Sequence, residues 1–170
     1  MEQCTLLFPR ELGRIWLAPK KKKVGAGKWN GYGGKFSPEQ GDKTMVDTAL
    51  REFVEESGAE LTGCERLERV AVVNFFEAGE HLFECHVYFF HAEYGKSWVG
   101  RLKETEEMGK PQYFDLWGIP FESMMPADSL FLKPLMSGKK NLIFTIFYSE
   151  GKERVEGHAV LESVPAICVE

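Results

Sequence analysis

The sequence predicts an α/β (α+β) domain in which strands outnumber helices. Three observations carry that reading. Strand-like runs recur in pairs around short turn-forming clusters, whereas one segment, Thr44 to Ser57, has a strong helical period. The 170 residues are 44% hydrophobic and 13% aromatic, enough for one ordinary core. No Pro/Gly/Ser-rich linker divides them, so a single domain is expected over residues 1–170.

Taken in order, Cys4 to Phe8 and Arg14 to Ala18 flank the turn-like Pro9 to Gly13 and suggest a hairpin. The helix over Thr44 to Ser57 rests on Val46, Leu50, Phe53 and Val54, which repeat at i, i+4, i+7 and i+8 as an apolar stripe. Thr44-x-x-Asp47 has the form of a capping box at its start, and Gly58 suits the left-handed residue that ends a helix. A second hairpin is expected from Val70 to Phe76 and Leu82 to Phe90 around Glu77-Ala78-Gly79-Glu80. Tyr113 to Trp117 reads as a short strand and Ser129 to Met136 as a short helix. Leu142 to Tyr148 and Val155 to Leu161 form a final hairpin around Glu150-Gly151-Lys152. Antiparallel pairing follows most simply from these hairpins, and there is no internal repeat.

Composition excludes several function classes. The apolar runs are too short or too interrupted to cross a bilayer, and Met1-Glu2-Gln3 lacks the basic start of a signal peptide, so a soluble, cytoplasmic protein without membrane partners is expected. Cys4, Cys64, Cys85 and Cys168 are far apart in sequence with no C-x-x-C pair, which points to reduced thiols rather than disulfides or a zinc cluster. His81, His86 and His91 recur every five residues, a spacing that sends neighbours to opposite faces of a strand and disfavours a shared metal. A net charge of −5 argues against a nucleic-acid polymer as partner, because such binding rests on many phosphate contacts from a basic surface. One compact anionic ligand is compatible with it, and a monomer is expected.

The helix then poses an electrostatic question. At 100° per residue Glu52, Glu55 and Glu56 fall opposite the apolar stripe, and like charges at i,i+3 and i,i+4 each cost roughly 0.2–0.5 kcal/mol on an isolated helix. A solvated acidic face softened by Arg51 is one reading. The other is a site for a hard divalent cation such as Mg²⁺, which takes oxygen ligands and is commonly shared with substrate phosphates. Upstream, Gly33 and Gly34 allow close backbone approach to an anion or metal, and Lys35 offers a point positive charge.

These residues resemble a known motif. Gly34-Lys35 followed by Arg51-Glu52-Phe53-Val54-Glu55-Glu56-Ser57-Gly58-Ala59 is similar to the Nudix box, whose R-E-U-x-E-E-x-G-U half is met throughout when Phe53 and Ala59 fill the apolar positions. Gly25 to Lys35, Ile119-Pro120-Phe121 and Met125 to Ser129 resemble segments of the animal-type MutT-like enzymes that hydrolyse oxidised purine nucleoside triphosphates. The resemblance spans most of Thr5 to about Tyr148. It implies an α/β/α sandwich with a mixed sheet and a loop-helix-loop box holding Mg²⁺ or Mn²⁺. By position Glu52, Glu55 and Glu56 would be metal ligands, with the Gly33 carbonyl a further one, and Arg51 would hold a carboxylate in place. The implied reaction is hydrolysis of a nucleoside triphosphate to monophosphate and pyrophosphate. Glu107 occupies the place of a loop glutamate near the metals, as a general base or as a solvated charge.

Two departures from the family pattern shape the remaining expectations. Gly34 to Arg51 is about three residues longer than the pattern, so the Phe36 to Lys43 loop is expected to bulge; Asp42, which follows Gly41, either substitutes for the family's first glutamate or, counted back from Arg51, yields that place to Lys43, and the second reading leaves it outside the ligand set. On the nucleobase side, Met125-Pro126-Ala127-Asp128 stands where the animal-type enzymes carry Trp-Pro-Asp-Asp, removing an aromatic wall and one of two adjacent carboxylates. Asn30 and Asp128 are the candidates to read a purine edge, although Asn30 could equally be a turn residue. Met125 with Val24, Phe75 and Phe83 would line the base pocket or else belong to the core. Lys20 to Lys23 reads as a solvated loop or as a steering charge for a triphosphate. The expected activity is therefore a Mg²⁺-dependent purine nucleoside triphosphate pyrophosphohydrolase that includes 8-oxo-dGTP-like substrates. The alternatives are hydrolysis of a nucleotide sugar or dinucleoside polyphosphate, and a nucleotide sensor without turnover.

Overall fold

A computed structural model describes residues 1–162, so Cys168 lies outside the described residues. Three hairpins organise the chain. β1 (Glu2–Glu11) turns into β2 (Arg14–Pro19) through Leu12 and Gly13, both with positive φ, and β4 (Arg66–Glu77) turns into β5 (Glu80–His91) through Ala78 and Gly79 in the same way. β7 (Leu142–Tyr148) and β8 (Val155–Glu162) make the third. Pro9 lies inside β1 rather than in the expected turn. It is tolerated because it falls between Leu7, bonded to Tyr32, and Arg10, paired with Ile15, where the ladder changes partner.

A two-residue strand that the sequence did not suggest, β3 (Trp29–Asn30), pairs with β2, as does β6 (Gln112–Phe114). The strand expected up to Trp117 stops at Phe114, since Asp115 to Gly118 closes a turn with its own backbone bond. The sheet runs β3-β2-β1-β5-β4-β7-β8, with β6 beside β2. The three hairpins are antiparallel, as their turns imply, while β1–β5 and β4–β7 are parallel, which makes the sheet mixed, as the family resemblance implies. Each hairpin is local, but the way hairpins dock on one another is set by crossovers that strand periodicity does not encode.

The two helices cover opposite faces. α1 (Met45–Ser57) packs Ala49 and Phe53 against Leu7, Tyr88 and Phe90, while α2 (Asp128–Met136) packs Phe131, Leu132 and Leu135 against Phe8, Val87 and Phe89. Adjacent residues such as Leu7/Phe8 and Tyr88/Phe89 thus divide between the two layers, as the alternation of a strand requires. Phe53 is the centre of the α1 layer, with edge-on contacts to Tyr32, Phe90 and Trp98 at ring centroid distances of 5.2–5.4 Å.

The α1 stripe needs a correction. Val46 and Val54 are 44% and 41% exposed, and the buried face consists of Thr48, Ala49, Glu52, Phe53, Glu56 and Ser57. Packing rotates the helix until two glutamates face inward. Among the described residues no helix is long and apolar enough to cross a membrane.

Candidate active site

The local architecture begins at the N-terminus of α1. Thr44 Oγ1 accepts the Asp47 amide at 3.2 Å while Asp47 Oδ2 accepts the Thr44 amide at 2.7 Å, completing the expected capping box, and Gly58 ends the helix in the left-handed region. The lengthened loop before it folds into one 3-10 turn, Pro38–Gln40, and buries Asp42. Asp42 accepts bonds from Ser37 N, Thr48 Oγ1, and Arg51 Nε and Nη2, all at 2.8–2.9 Å. The Arg51 bonds foremost, with those from Ser37 and Thr48, hold its carboxyl well below the usual range against the opposing effect of burial. The other guanidinium nitrogen, Nη1, donates to Glu52 Oε1 at 2.8 Å and Glu55 Oε2 at 3.3 Å, and Nη2 also reaches the Lys35 carbonyl. Arg51 therefore joins three carboxylates and the glycine loop into one unit, with Asp42 engaged by protein donors on both oxygens.

The Gly31 to Phe36 segment runs antiparallel beside β1, bonded through Thr5 N to Gly34 O and Leu7 N to Tyr32 O. A Cβ on Gly33 would lie 2.0 Å from the Thr5 carbonyl oxygen, and one on Gly34 would meet the Glu52 carboxylate at 2.3–2.5 Å. The close approach these glycines allow is thus to β1 and to the acidic helix. Gly33 N donates to Glu56 Oε2 at 2.8 Å. Glu56 is 1% exposed and its other oxygen, Oε1, is buried without a hydrogen-bond partner. Burial, with Glu52 and Glu107 nearby, pushes the Glu56 carboxyl up to about 7 despite the Gly33 bond and Lys20.

Glu107 is brought to the same place by a loop tied to the C-terminus of α1, where Thr105 Oγ1 donates to the Glu56 carbonyl and Lys103 N to the Ser57 carbonyl. Glu107 accepts from Lys23 Nζ at 3.0 Å, and the charges of Glu107, Glu52 and Glu56 raise the Lys23 ammonium. Lys35 pairs with Glu2 at 2.7 Å, at the rim.

A cleft of about 570 Å³ opens beside these groups. Its lining brings together Lys20, Val24, Asn30, Gly33, Gly34, Lys35, Glu52, Phe75, Phe83, Met125 and Asp128, eleven of the residues singled out from sequence. Arg51, Glu55, Glu56 and Glu107 are not in the lining; Arg51, Glu56 and Glu107 are bonded to the lining residues Glu52, Gly33 and Lys23, and Glu55, paired with Arg51, is largely exposed. The apolar wall is built from aromatic contacts: Phe75 stacks on Tyr148 at 5.6 Å with planes 8° apart and meets Phe83 at 5.0 Å. Asn30 uses Oδ1 to accept the Gly31 amide at 2.9 Å, so it serves the turn and also lines the cleft. Asp128, buried at the start of α2, accepts from Met125 N at 3.2 Å and is pushed up to about 7 by burial.

Sequence reasoning did not single out Cys4, Leu6, Cys85, Phe131, Tyr148 or Lys152, which also line the cleft. Strand alternation could have named Cys85, two residues beyond Phe83 on the same face. Nothing local marks Tyr148 or Lys152, which arrive through the parallel β4–β7 pairing.

Among the described residues no group of three or more His, Cys, Asp or Glu side chains is already gathered to hold a metal. The donors available still fit a hard divalent cation. They are carboxylate oxygens, Glu52 is held against a glycine whose Cβ would occupy its position, and the orphaned Glu56 Oε1 awaits a proton or a cation. Glu52, Glu55 and Glu56 are the residues that would hold such an ion, at the rim shared with Lys20 and Lys23.

The chain is 37% identical over 158 residues to an oxidized purine nucleoside triphosphate hydrolase of Danio rerio, covering 92% of this chain and 88% of that one. It is also 37% identical over 137 residues to the Mus musculus protein of the same description, covering 80% of each. In fold it is similar to a MutT protein from Bacillus halodurans, with a TM-score of 0.62 at 18% identity over 96% of this chain and all of that one. The NUDIX domain model matches residues 4–144, and the chain belongs to the Nudix family.

Proposed function

We propose that this Nudix hydrolase cleaves purine nucleoside triphosphates, oxidised guanine forms such as 8-oxo-dGTP among them, to monophosphate and pyrophosphate. The observation that carries the reading is the two-sided cleft. Carboxylates, close-packed glycines and lysines lie together, and an aromatic wall with a buried carboxyl at its edge completes the same cavity. The names carried by the relatives from Danio rerio and Mus musculus support the substrate class.

A bound Mg²⁺ or Mn²⁺ would neutralise the diphosphate and lower the pKa of an attacking water. The protein's own groups do the rest. Arg51 keeps Glu52 from swinging away, Lys20 and Lys23 draw the phosphate chain to the acidic rim, and Gly33 orients Glu56 through its amide. Glu107, presented by the loop anchored on α1 and held by Lys23, would be the group to accept the water proton. On the base side Asp128, with a pKa near neutrality, can donate a proton to a purine oxygen as well as accept an N–H, while Asn30 and the softer Met125 complete the contact. With Ala127 beside it, only one carboxyl is available, which favours guanine-type over adenine-type oxidised purines. We take the enzyme to act as a monomer in a reducing cytoplasm, where thiols such as those of Cys4, Cys64 and Cys85 stay reduced.

Steady-state kinetics on dGTP, 8-oxo-dGTP, 2-hydroxy-dATP, dCTP and a nucleotide sugar, with Mg²⁺ and with chelator, test this. The purine triphosphates should lead. Asp128→Ala should lower their kcat/KM by about 10²-fold, because buried polar groups lose their partner, with little change on dCTP. A nucleotide sugar outrunning all the triphosphates, or equal losses on every substrate, would refute the assignment.

A further inference from the structure

We infer that Cys4 and Cys85 form an oxidative cross-link site in the floor of the cleft, and that closing it impairs the purine pocket. The two residues stand directly opposite one another on the parallel strands β1 and β5, in a register that runs unbroken from Glu2↔Phe83 to Arg10↔His91. Directly paired residues on neighbouring strands project to the same face, and both cysteines line the cleft. Strands lie about 4.8 Å apart, within the roughly 4.4–6.8 Å Cα separation that a disulfide spans. Cys4 is half-buried and open to a small reagent in the cleft, whereas Cys85 is buried behind it. The Cys4 thiol and burial push the Cys85 thiol up, so the chemistry starts at Cys4.

The oxidant is a hydroperoxide. The Cys4 sulfur attacks the O–O bond, takes one oxygen as a sulfenic acid and releases water or an alcohol; sulfur loses two electrons and the peroxide gains them. The Cys85 sulfur then attacks the Cys4 sulfur, the S–S bond forms, and the hydroxyl leaves as water with the Cys85 proton. The overall change converts two thiols and one hydroperoxide into a disulfide, water and the reduced peroxide. Phe83 is two residues from Cys85 on the same face, and Leu6 is two residues from Cys4. Drawing the sulfurs together therefore shifts the floor next to the aromatic wall while leaving α1 and its glutamates in place.

The effect on turnover rests on the cleft being the nucleotide site; the cross-link itself does not. The test uses the full chain carrying Cys64→Ser and Cys168→Ser, so that Cys4 and Cys85 alone remain. After treatment with hydrogen peroxide, thiols are counted in denaturant, the intact mass and cross-linked peptides are recorded, and kcat and KM are measured on a purine nucleoside triphosphate. Expected are loss of both thiols, a mass loss of two hydrogen atoms, a Cys4–Cys85 peptide pair, and kcat/KM lowered by about tenfold mainly through KM, since small displacements in a fitted pocket are costly. Dithiothreitol should restore activity. Adding either Cys4→Ser or Cys85→Ala should abolish the cross-link and the peroxide effect. Cys4 accumulating as sulfinic acid while Cys85 stays free would overturn the site, and a complete cross-link with unchanged kinetics would overturn its functional consequence. If the reduced enzyme is inactive on every purine triphosphate while the cross-link forms, the substrate assignment fails and the thiol chemistry stands.

Discussion

Replacing Glu56 by Gln separates what this side chain does for the fold from what it does for the reaction. In the metal-free protein its carboxylate is buried, with the Gly33 amide at 2.8 Å on one oxygen and no partner on the other. Burial pushes its pKa up to about 7, so at pH 8 the folded protein holds an ionised carboxylate that the unfolded chain accommodates more easily. The gap from the ordinary glutamate value corresponds to about 3 kcal/mol at most. The amide in Glu56→Gln keeps an acceptor for Gly33 and removes that charge, but it leaves a buried NH₂ unpaired at about 1–3 kcal/mol. The two terms nearly offset, so stability should be that of the wild type or slightly above it. Catalysis should suffer differently. Taking one charge from the proposed cation site should lower kcat by about 100-fold or more, roughly 2.7 kcal/mol of transition-state stabilisation. Pyrophosphate release in saturating Mg²⁺ and thermal unfolding in chelator measure the two quantities. Near wild-type turnover would refute the metal role, and a marked drop in chelator Tm would show that Glu56 is a structural residue.

Asp42→Asn should show the converse pattern: loss of a buried partner of Arg51 destabilises the protein by about 2–4 kcal/mol, while kcat/KM falls less than about tenfold because Arg51 still reaches Glu52. Should Asp42→Asn match Glu56→Gln in kinetic severity, Asp42 belongs to the ligand set. Gly34→Ala should keep the fold but displace Glu52, lowering kcat/KM by at least about tenfold, whereas Gly33→Ala, directed at the Thr5 backbone, should cost about 1–3 kcal/mol of stability in chemical denaturation. In chelator, stability should also depend on pH through Asp128. Its folded pKa of about 7 lies above its ordinary value near 4, so the folded state binds more protons in between, and its contribution is complete below about pH 4 and lost as pH rises through 7. Asp128→Asn should therefore flatten that fall by up to about 1.4 kcal/mol per pH unit, a difference from wild type in which the opposite effect of His91 cancels. Identical pH slopes would show that Asp128 ionises freely in the fold.

Much of this protein is readable one element at a time. The hairpin at Ala78-Gly79, the capping box at Thr44 and the helix end at Gly58 depend on residues within a few positions of one another, and each forms as the local chemistry dictates. The acidic helix and the glycines before it likewise announce a charged site, because glutamates at i,i+3 and i,i+4 repel unless something offsets them. What the sequence could not disclose was the side of α1 that turns inward. Its apolar pattern favours Val46 and Val54, yet the sheet accepts Phe53 among Tyr32, Phe90 and Trp98, and that anchor carries Glu52 and Glu56 into the interior. The partner of Asp42 was equally out of reach, since the guanidinium that claims it lies nine positions on, across the capped start of α1. The base side of the cleft exists only because β1–β5 and β4–β7 run parallel, setting Cys4 against Cys85 and Phe75 against Tyr148 from distant parts of the chain. Local free energies select turns, caps and helices; which faces meet is selected by the burial of apolar area over the whole sheet, a sum that no single segment contains.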